Sequence, residues 1–275
     1  MSLVLDSALE SEKIHSLRIL VADDDAMGRR LMHLILTQDG HAVEVAANGL
    51  EAVEAVKRNQ FDIVFMDLHM PDMDGMEASR QIRAWETGGS HTFIVALTAS
   101  YLPEKGHMLF EAGIDNYVSK PFEIEHIHQL LKYSFRSRLA VDSGQAIILK
   151  QEAPSEKVLD IEKGIVQVGG DENMYRELLA DFIQGLPVRL QSIQRYFEKR
   201  DLVELSRAAH NLGGIAANLG AAQLSVCARK LDKQSVEGYT ESIDPLVQEI
   251  QLGVRKLLET SSNFLAEKKI SVPSA

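Results

Sequence analysis

One cysteine, Cys227, stands in 275 residues. No disulfide can close within the chain, and a reducing compartment is the simplest setting for it. No apolar run approaches the roughly 18 residues of a membrane span, which excludes direct insertion by a helix. Basic residues are in the minority, 29 against 40 acidic ones, for a net charge of -11. That balance removes the long-range pull toward nucleic acid or anionic lipid, and no basic recognition helix offsets it. There is no glycine-rich nucleotide lid, no internal repeat and no low-complexity tract.

What is present is ordinary soluble composition, 45% hydrophobic and 25% charged, at a length that allows two domains with a core each. Residues 18 to 135 alternate short apolar runs with longer amphipathic ones. Strands are expected at 18–23, 42–46, 61–66, 93–97 and 115–119, and helices at 27–38, 49–58, 75–86, 103–112 and 123–135. Asn48 is placed to cap the second helix with Glu51 three residues on, and Gly40 and Gly113 follow the first and fourth helices. Five strands alternating with five helices imply a parallel sheet covered on both faces, with ligands beyond the carboxyl ends of the strands.

Residues 137–157 break that rhythm and read as a linker, although Ala146-Ile147-Ile148-Leu149 is apolar enough to pack on a domain. Residues 158–265 read as almost wholly helical, and 266–275 as a tail. Asp171 is the expected cap of a helix ending near Gly185–Leu186, followed by helices at about 188–199, 201–218, 220–235 and 241–262. Short connections favour antiparallel neighbours and a four-helix bundle. The fold class is therefore α/β plus all-α.

Chemistry gathers at three strand ends. Ile19-Leu20-Val21-Ala22 runs into Asp23-Asp24-Asp25, the third strand into Asp67, and Asn116-Tyr117-Val118-Ser119 into Lys120-Pro121. If these strands are parallel neighbours, one crevice holds several carboxylates and one ammonium. Clustered carboxylates repel one another, and a hard divalent cation such as Mg²⁺ takes oxygen ligands. Asp23, Asp24 and Asp67 supply carboxylates, and the backbone carbonyl of His69 is placed to add an oxygen. Lys120 would meet a phosphoryl group as a point charge, and the Thr98 hydroxyl offers a contact to the same oxygens. Asp25 more simply caps the first helix, Asp72 and Asp74 are turn residues, and a cis peptide at Pro121 is an option.

The second domain carries Ala208-Ala209-His210-Asn211-Leu212-Gly213-Gly214, with two glycines inside a helix at a cost of about 1 kcal/mol each. Leu205, Ala209, Leu212, Ala216 and Leu219 make the core stripe. His210 then points away from the core, beside a face that Gly213 and Gly214 keep flat. A neutral imidazole there is a competent nucleophile.

The Asp23-Asp24 pair, Asp67 with Met70-Pro71 and Asp74-Gly75, Thr98-Ala99 and Lys120-Pro121 resemble the response-regulator receiver domain. The stretch around His210 resembles the histidine-containing phosphotransfer domain. The first resemblance implies a flavodoxin-like receiver over 16–136 with strand order 2-1-3-4-5. It implies Asp67 as phosphoacceptor, Asp23 and Asp24 as metal acids, and a switch in which Thr98 moves toward the phosphate while Tyr117 turns inward. The second implies His210 as phosphoacceptor, and departs from the family where Gly213 stands in place of a lysine. Arg207, one turn earlier, is the candidate substitute.

Together the two resemble the C-terminal end of hybrid sensor kinases in phosphorelays. The partners implied are a histidine kinase upstream and a receiver downstream, in the cytoplasm or in the cytoplasmic part of a membrane-bound sensor kinase. Two alternatives stand beside this. One is a phosphorylation-switched adaptor whose helical domain binds a partner without efficient transfer. The other, a phosphatase built on Asp23 and Asp25, leaves Asp67 and His210 without a role.

Overall fold

A computed structural model describes residues 16–86, 91–98, 106–120, 124–139, 157–238 and 242–266. Pro121, Ala99, the run 146–149 and the tail 267–275 lie outside the described residues.

The first half folds as five strands and five helices in strict alternation. These are β1 (Arg18–Ala22), α1 (Ala26–Gln38), β2 (Ala42–Ala46), α2 (Gly49–Arg58), β3 (Ile63–Asp67), α3 (Gly75–Trp85), β4 (Phe93–Thr98), α4 (Gly106–Glu111), β5 (Asn116–Ser119) and α5 (Ile124–Leu139). All strand pairings are parallel, in the order β2-β1-β3-β4-β5. β3 and β4 are buried at every residue, and β1 at all but its first, because helices cover both faces. The winding reverses between β1 and β3, so the crevice lies over the paired ends Ala22 and Met66. The third strand begins two residues later than its apolar run. Asp62 turns its carboxylate to the amide of Arg18, and Asp67 becomes the strand's last residue.

Helix starts follow the side chains available to cap them. Asp25 accepts from the amides of Met27 and Gly28, Asn48 from Glu51 and Asp74 from Glu77. Asp72 takes a left-handed φ of 65° in the turn before α3.

The second half is helical: α6 (Ile161–Gln167), α7 (Glu172–Glu198), α8 (Leu202–Asn218), α9 (Ala222–Glu237) and α10 (Ile243–Ala266). α7 through α10 form the bundle, each packed on its neighbours. The sequence expectation is corrected twice here. α6 is an additional short helix, capped by Asp160. α7 also runs unbroken through Pro187, where two helices were expected. Proline removes one hydrogen bond, but Leu178, Leu179, Phe182, Leu186 and Ile193 hold the helix from both sides of that point.

The two halves meet along α1. Leu31 and Ile35, with Ile124 of α5, belong to the same buried cluster as the bundle core, and Met27 and Leu34 pack against it.

Gly75 opens α3 against the end of β3. A Cβ there would lie 2.1 Å from the carbonyl oxygen of Asp67 and 2.9 Å from Met66 Cγ. Backbone cannot yield as a flexible side chain does. Gly75→Ala is expected to cost about 1–3 kcal/mol, read as a drop of several degrees in Tm; an unchanged melting curve would refute this packing.

Candidate functional site

The sheet register brings the expected residues together. Oxygens of Asp23, Asp24 and Asp67 all lie within 4.8 Å of one another. Lys120, on the residue after β5, places Nζ 2.8 Å from Asp23 Oδ2 and 2.5 Å from Asp67 Oδ2. The amide of Asp25 donates to Asp23 Oδ1, and the amide of His69 to Asp67 Oδ1. Asp67 is fully buried and Asp23 nearly so. Thr98 is buried at the end of β4, where its carbonyl accepts from the Lys120 amide. Tyr117 is buried, packed with Ile94, Ala96 and Leu109.

Charge shapes the behaviour of each group. Burial favours a neutral amine at Lys120, but the carboxylates of Asp23 and Asp67 outweigh it and hold Lys120 firmly protonated. Burial pushes Asp67 up as well. Lys120 and the His69 amide reverse that and keep Asp67 ionised, as the charge of a protonated His210 also would. Asp23 is raised by burial and by the charge of Asp67, against the pull of Lys120. Asp24 is pushed up to about 6, by burial first and then by the charges of Asp23 and Asp67. Three carboxylates against one ammonium leave a formal deficit that a divalent cation would match. The donor set, all oxygen, suits a hard ion.

His210 lies against this same pocket. Asp23, Gly28, Lys120, His210, Gly214 and Asn218 line one small cavity. His210 is only 4% exposed, and its ring packs edge-on to His69 with centroids 5.1 Å apart. Its Nδ1 is 3.1 Å from Asp232 Oδ2, and Ser206 Oγ donates to the other oxygen of the same carboxylate. Nε2 is buried without a hydrogen-bond partner. A carboxylate on Nδ1 fixes the tautomer with the proton there, so Nε2 carries a free lone pair.

The sequence expectation of an open His210 face is thus corrected: the receiver itself covers it. The two glycines also part company. A Cβ on Gly214 would sit 3.8 Å from Lys120 Cδ, so Gly214 does face the receiver. One on Gly213 would meet Arg229 Cγ at 3.3 Å and Ala228 Cβ at 3.4 Å. Gly213 therefore lies in the close packing of α8 on α9, where a side chain would press on Arg229 and Ala228. Arg207, the candidate substitute, pairs with Glu204 of its own helix at 2.6 Å.

Three contributors were missed by sequence reasoning. Asp232 lies 22 residues from His210 on another helix, and no spacing rule links them. Asn211 Nδ2 reaches both oxygens of Asp24, at 3.2 and 3.3 Å. Arg189 on α7 binds Asp25 at 2.6 Å.

A raised Asp24 has a definite sign. Between its ordinary value of 3.8 and about 6, the folded chain holds a proton that the unfolded chain has released. Stability in the absence of metal therefore falls as pH rises through that window. Asp24→Asn is expected to remove that fall and to stabilise the metal-free protein at pH 7 by on the order of 1 kcal/mol, after discounting for partial exposure. It is also expected to lose the rise in Tm that Mg²⁺ gives the parent. Melting curves at pH 5 and 7.5, with chelator and with Mg²⁺, check this; a metal-free variant that melts below the parent at pH 7.5 would refute it.

Comparison with known families agrees with the geometry. Residues 19–132 match the response regulator receiver domain, and residues 177–263 match the Hpt domain. The chain is 30% identical over 246 residues to the sensor protein GacS of Pseudomonas syringae pv. syringae, covering 83% of this chain and 26% of that protein. It is 30% identical over 221 residues to the sensory/regulatory protein RpfC of Xanthomonas campestris pv. campestris, covering 78% and 30%. It is 23% identical over 268 residues to the aerobic respiration control sensor protein ArcB of Escherichia coli K12, covering 96% and 34%.

The chain thus spans about a quarter to a third of the length of these relatives. Among solved structures, it is similar to the receiver domain of the sensor histidine kinase PA1611 of Pseudomonas aeruginosa, a structure with a magnesium ion in its active-site cleft. That match has 30% identity, covers 44% of this chain and 99% of that one, and has a TM-score of 0.41. The two family matches fall on the two halves of the fold, in order. The chain thus carries a response regulator receiver domain followed by an Hpt domain.

Proposed function

We propose that this chain carries a phosphoryl group from Asp67 to His210 within one molecule. The observation that supports it most directly is the buried, unpartnered Nε2 of His210 in the cavity it shares with Lys120. In this reading Asp67 first accepts the group from the phosphohistidine of an upstream kinase. Mg²⁺, held by Asp23, Asp24, Asp67 and the His69 carbonyl, would neutralise charge on the phosphoryl oxygens. Lys120 contacts the phosphoryl group, and Thr98 donates its hydroxyl to it, with Tyr117 as the aromatic partner of that switch.

Transfer onward is nucleophilic. The Nε2 lone pair of neutral His210 attacks phosphorus, and an N–P bond forms. The P–O bond to Asp67 breaks, and its electron pair returns to the carboxylate, which Lys120 holds. The ring gains positive charge as Nε2 is phosphorylated, and Asp232, already accepting the Nδ1 proton, stabilises that charge. His210 then passes the group to a receiver on a separate regulator. The receiver unit is taken as 16–136, the linker as 137–157 and the phosphotransfer unit as 158–265. The upstream kinase, the downstream regulator and a cytoplasmic setting belong to this proposal. Transfer through His210, rather than an adaptor role, is favoured because Asp232 and the free Nε2 form a prepared nucleophile.

Incubation with Mg²⁺ and a small acyl-phosphate donor, followed by intact mass with acid and base quenches, separates phosphohistidine from phosphoaspartate. Phosphate on His210 is expected in the parent and absent in Asp67→Ala. Phosphate confined to Asp67 in the parent would defeat the relay. Asp232→Ala is expected to leave Asp67 loading intact and slow the appearance of phosphohistidine by about 10²-fold; an unchanged rate would remove Asp232 from the mechanism.

A further inference from the structure

Where α7 meets the receiver, each side carries charges of opposite sign placed one helical turn or more apart. On the receiver, Asp25 stands immediately before α1 and Arg30 lies five residues on. On α7, Arg189 meets Asp25 and Asp181 meets Arg30. Arg189 Nη1 is 2.6 Å from Asp25 Oδ2 and its Nη2 is 3.3 Å from Oδ1, a two-point contact. Asp25 divides its carboxylate between this bond and the capping of α1. Gly185, one turn before Arg189, leaves its side free, the nearest atom to an added Cβ being Arg189 Nε at 3.9 Å. At the other end the Arg30 guanidinium pairs with Asp181, and Glu177 lies 4.0 Å away on the same side.

The apolar residues of α1 beside these contacts, Met27, Leu31, Leu34 and Ile35, pack into the bundle cluster but carry no direction. A charge pair of one sign at one end and the reverse at the other does. Reversing α1 on α7 would bring Arg30 to Arg189 and Asp25 to Asp181, and sliding it would bring one of those like-charge pairs together while parting the other. Like-charge contacts of that kind penalise wrong docking more than correct pairs stabilise right docking.

We propose that Arg189 and Asp181 are specificity-determining residues, which select as partner of His210 a receiver with an acid directly before its first helix and a base five residues later. This rests on the relay reading above and names how the site chooses its donor. The chain's own receiver satisfies the code and covers His210 while docked. A separate receiver must therefore use the same surface, and competes with this one for it.

Charge reversal tests the code in the full chain. Arg30→Asp and Asp181→Arg are made singly and together. Asp67 is loaded from a small acyl phosphate, and the first-order appearance of phosphohistidine is normalised to loaded Asp67. Hydrogen exchange of α1 is followed in parallel without phosphate. Each single reversal is expected to slow transfer about tenfold and to raise exchange along Ala26–Gln38. The double reversal is expected to recover most of both. Arg189→Glu is expected to act like the single reversals.

Singles that transfer and exchange at parental rates, or a double as impaired as the two singles combined, would overturn the code and leave the relay standing. A parent that never phosphorylates His210, while α1 protection still follows loss and recovery through the series, would overturn the relay and leave the code as a docking determinant.

Discussion

Everything at this site depends on Lys120 lying between Asp23 and Asp67. Its ammonium is the counter-charge that allows two buried carboxylates to stand at the ends of adjacent strands, and it can do so only because β5 ends beside β4 at the level where β1 and β3 end. Removing one member of such a buried set leaves an uncompensated charge. Asp24 is the acid left over, raised by its neighbours and reached by the amide of Asn211. The pocket therefore has a standing deficit of positive charge, which a divalent cation on the acids would offset.

His210 completes that arrangement from the other domain. Its Nδ1 is turned to Asp232, which leaves Nε2 facing inward without a partner, a costly condition for a buried polar atom unless something is meant to meet it. Ser206 steadies the carboxylate that steadies the ring.

Docking along α1 links the pieces. Apolar residues of α1 merge with the bundle core, and ionic contacts at Asp25 and Arg30, in its first half, tie it to α7. The receiver's first helix is then a structural element of one domain and part of the packing of the other. The helical domain's own departures from expectation serve this contact: α7 continues through Pro187 far enough to carry Arg189 to Asp25, and Gly214 lets the His210 helix approach Lys120.

The sequence by itself determined the alternation of strands and helices, the strand ends at which Asp23, Asp24, Asp67 and Lys120 stand, and the helix that bears His210. These are readable because they depend on local periodicity, capping side chains and a sheet topology that parallel strands make nearly obligatory. Only the tertiary structure decided which residues of distant helices share a pocket. Asp232 reaches His210 because α8 and α9 run antiparallel at close range, a spacing that Gly213 permits. Arg189 and Asn211 reach Asp25 and Asp24 because two separately folded units pack face to face. Such contacts depend on the relative placement of whole elements, and no window of sequence contains both partners.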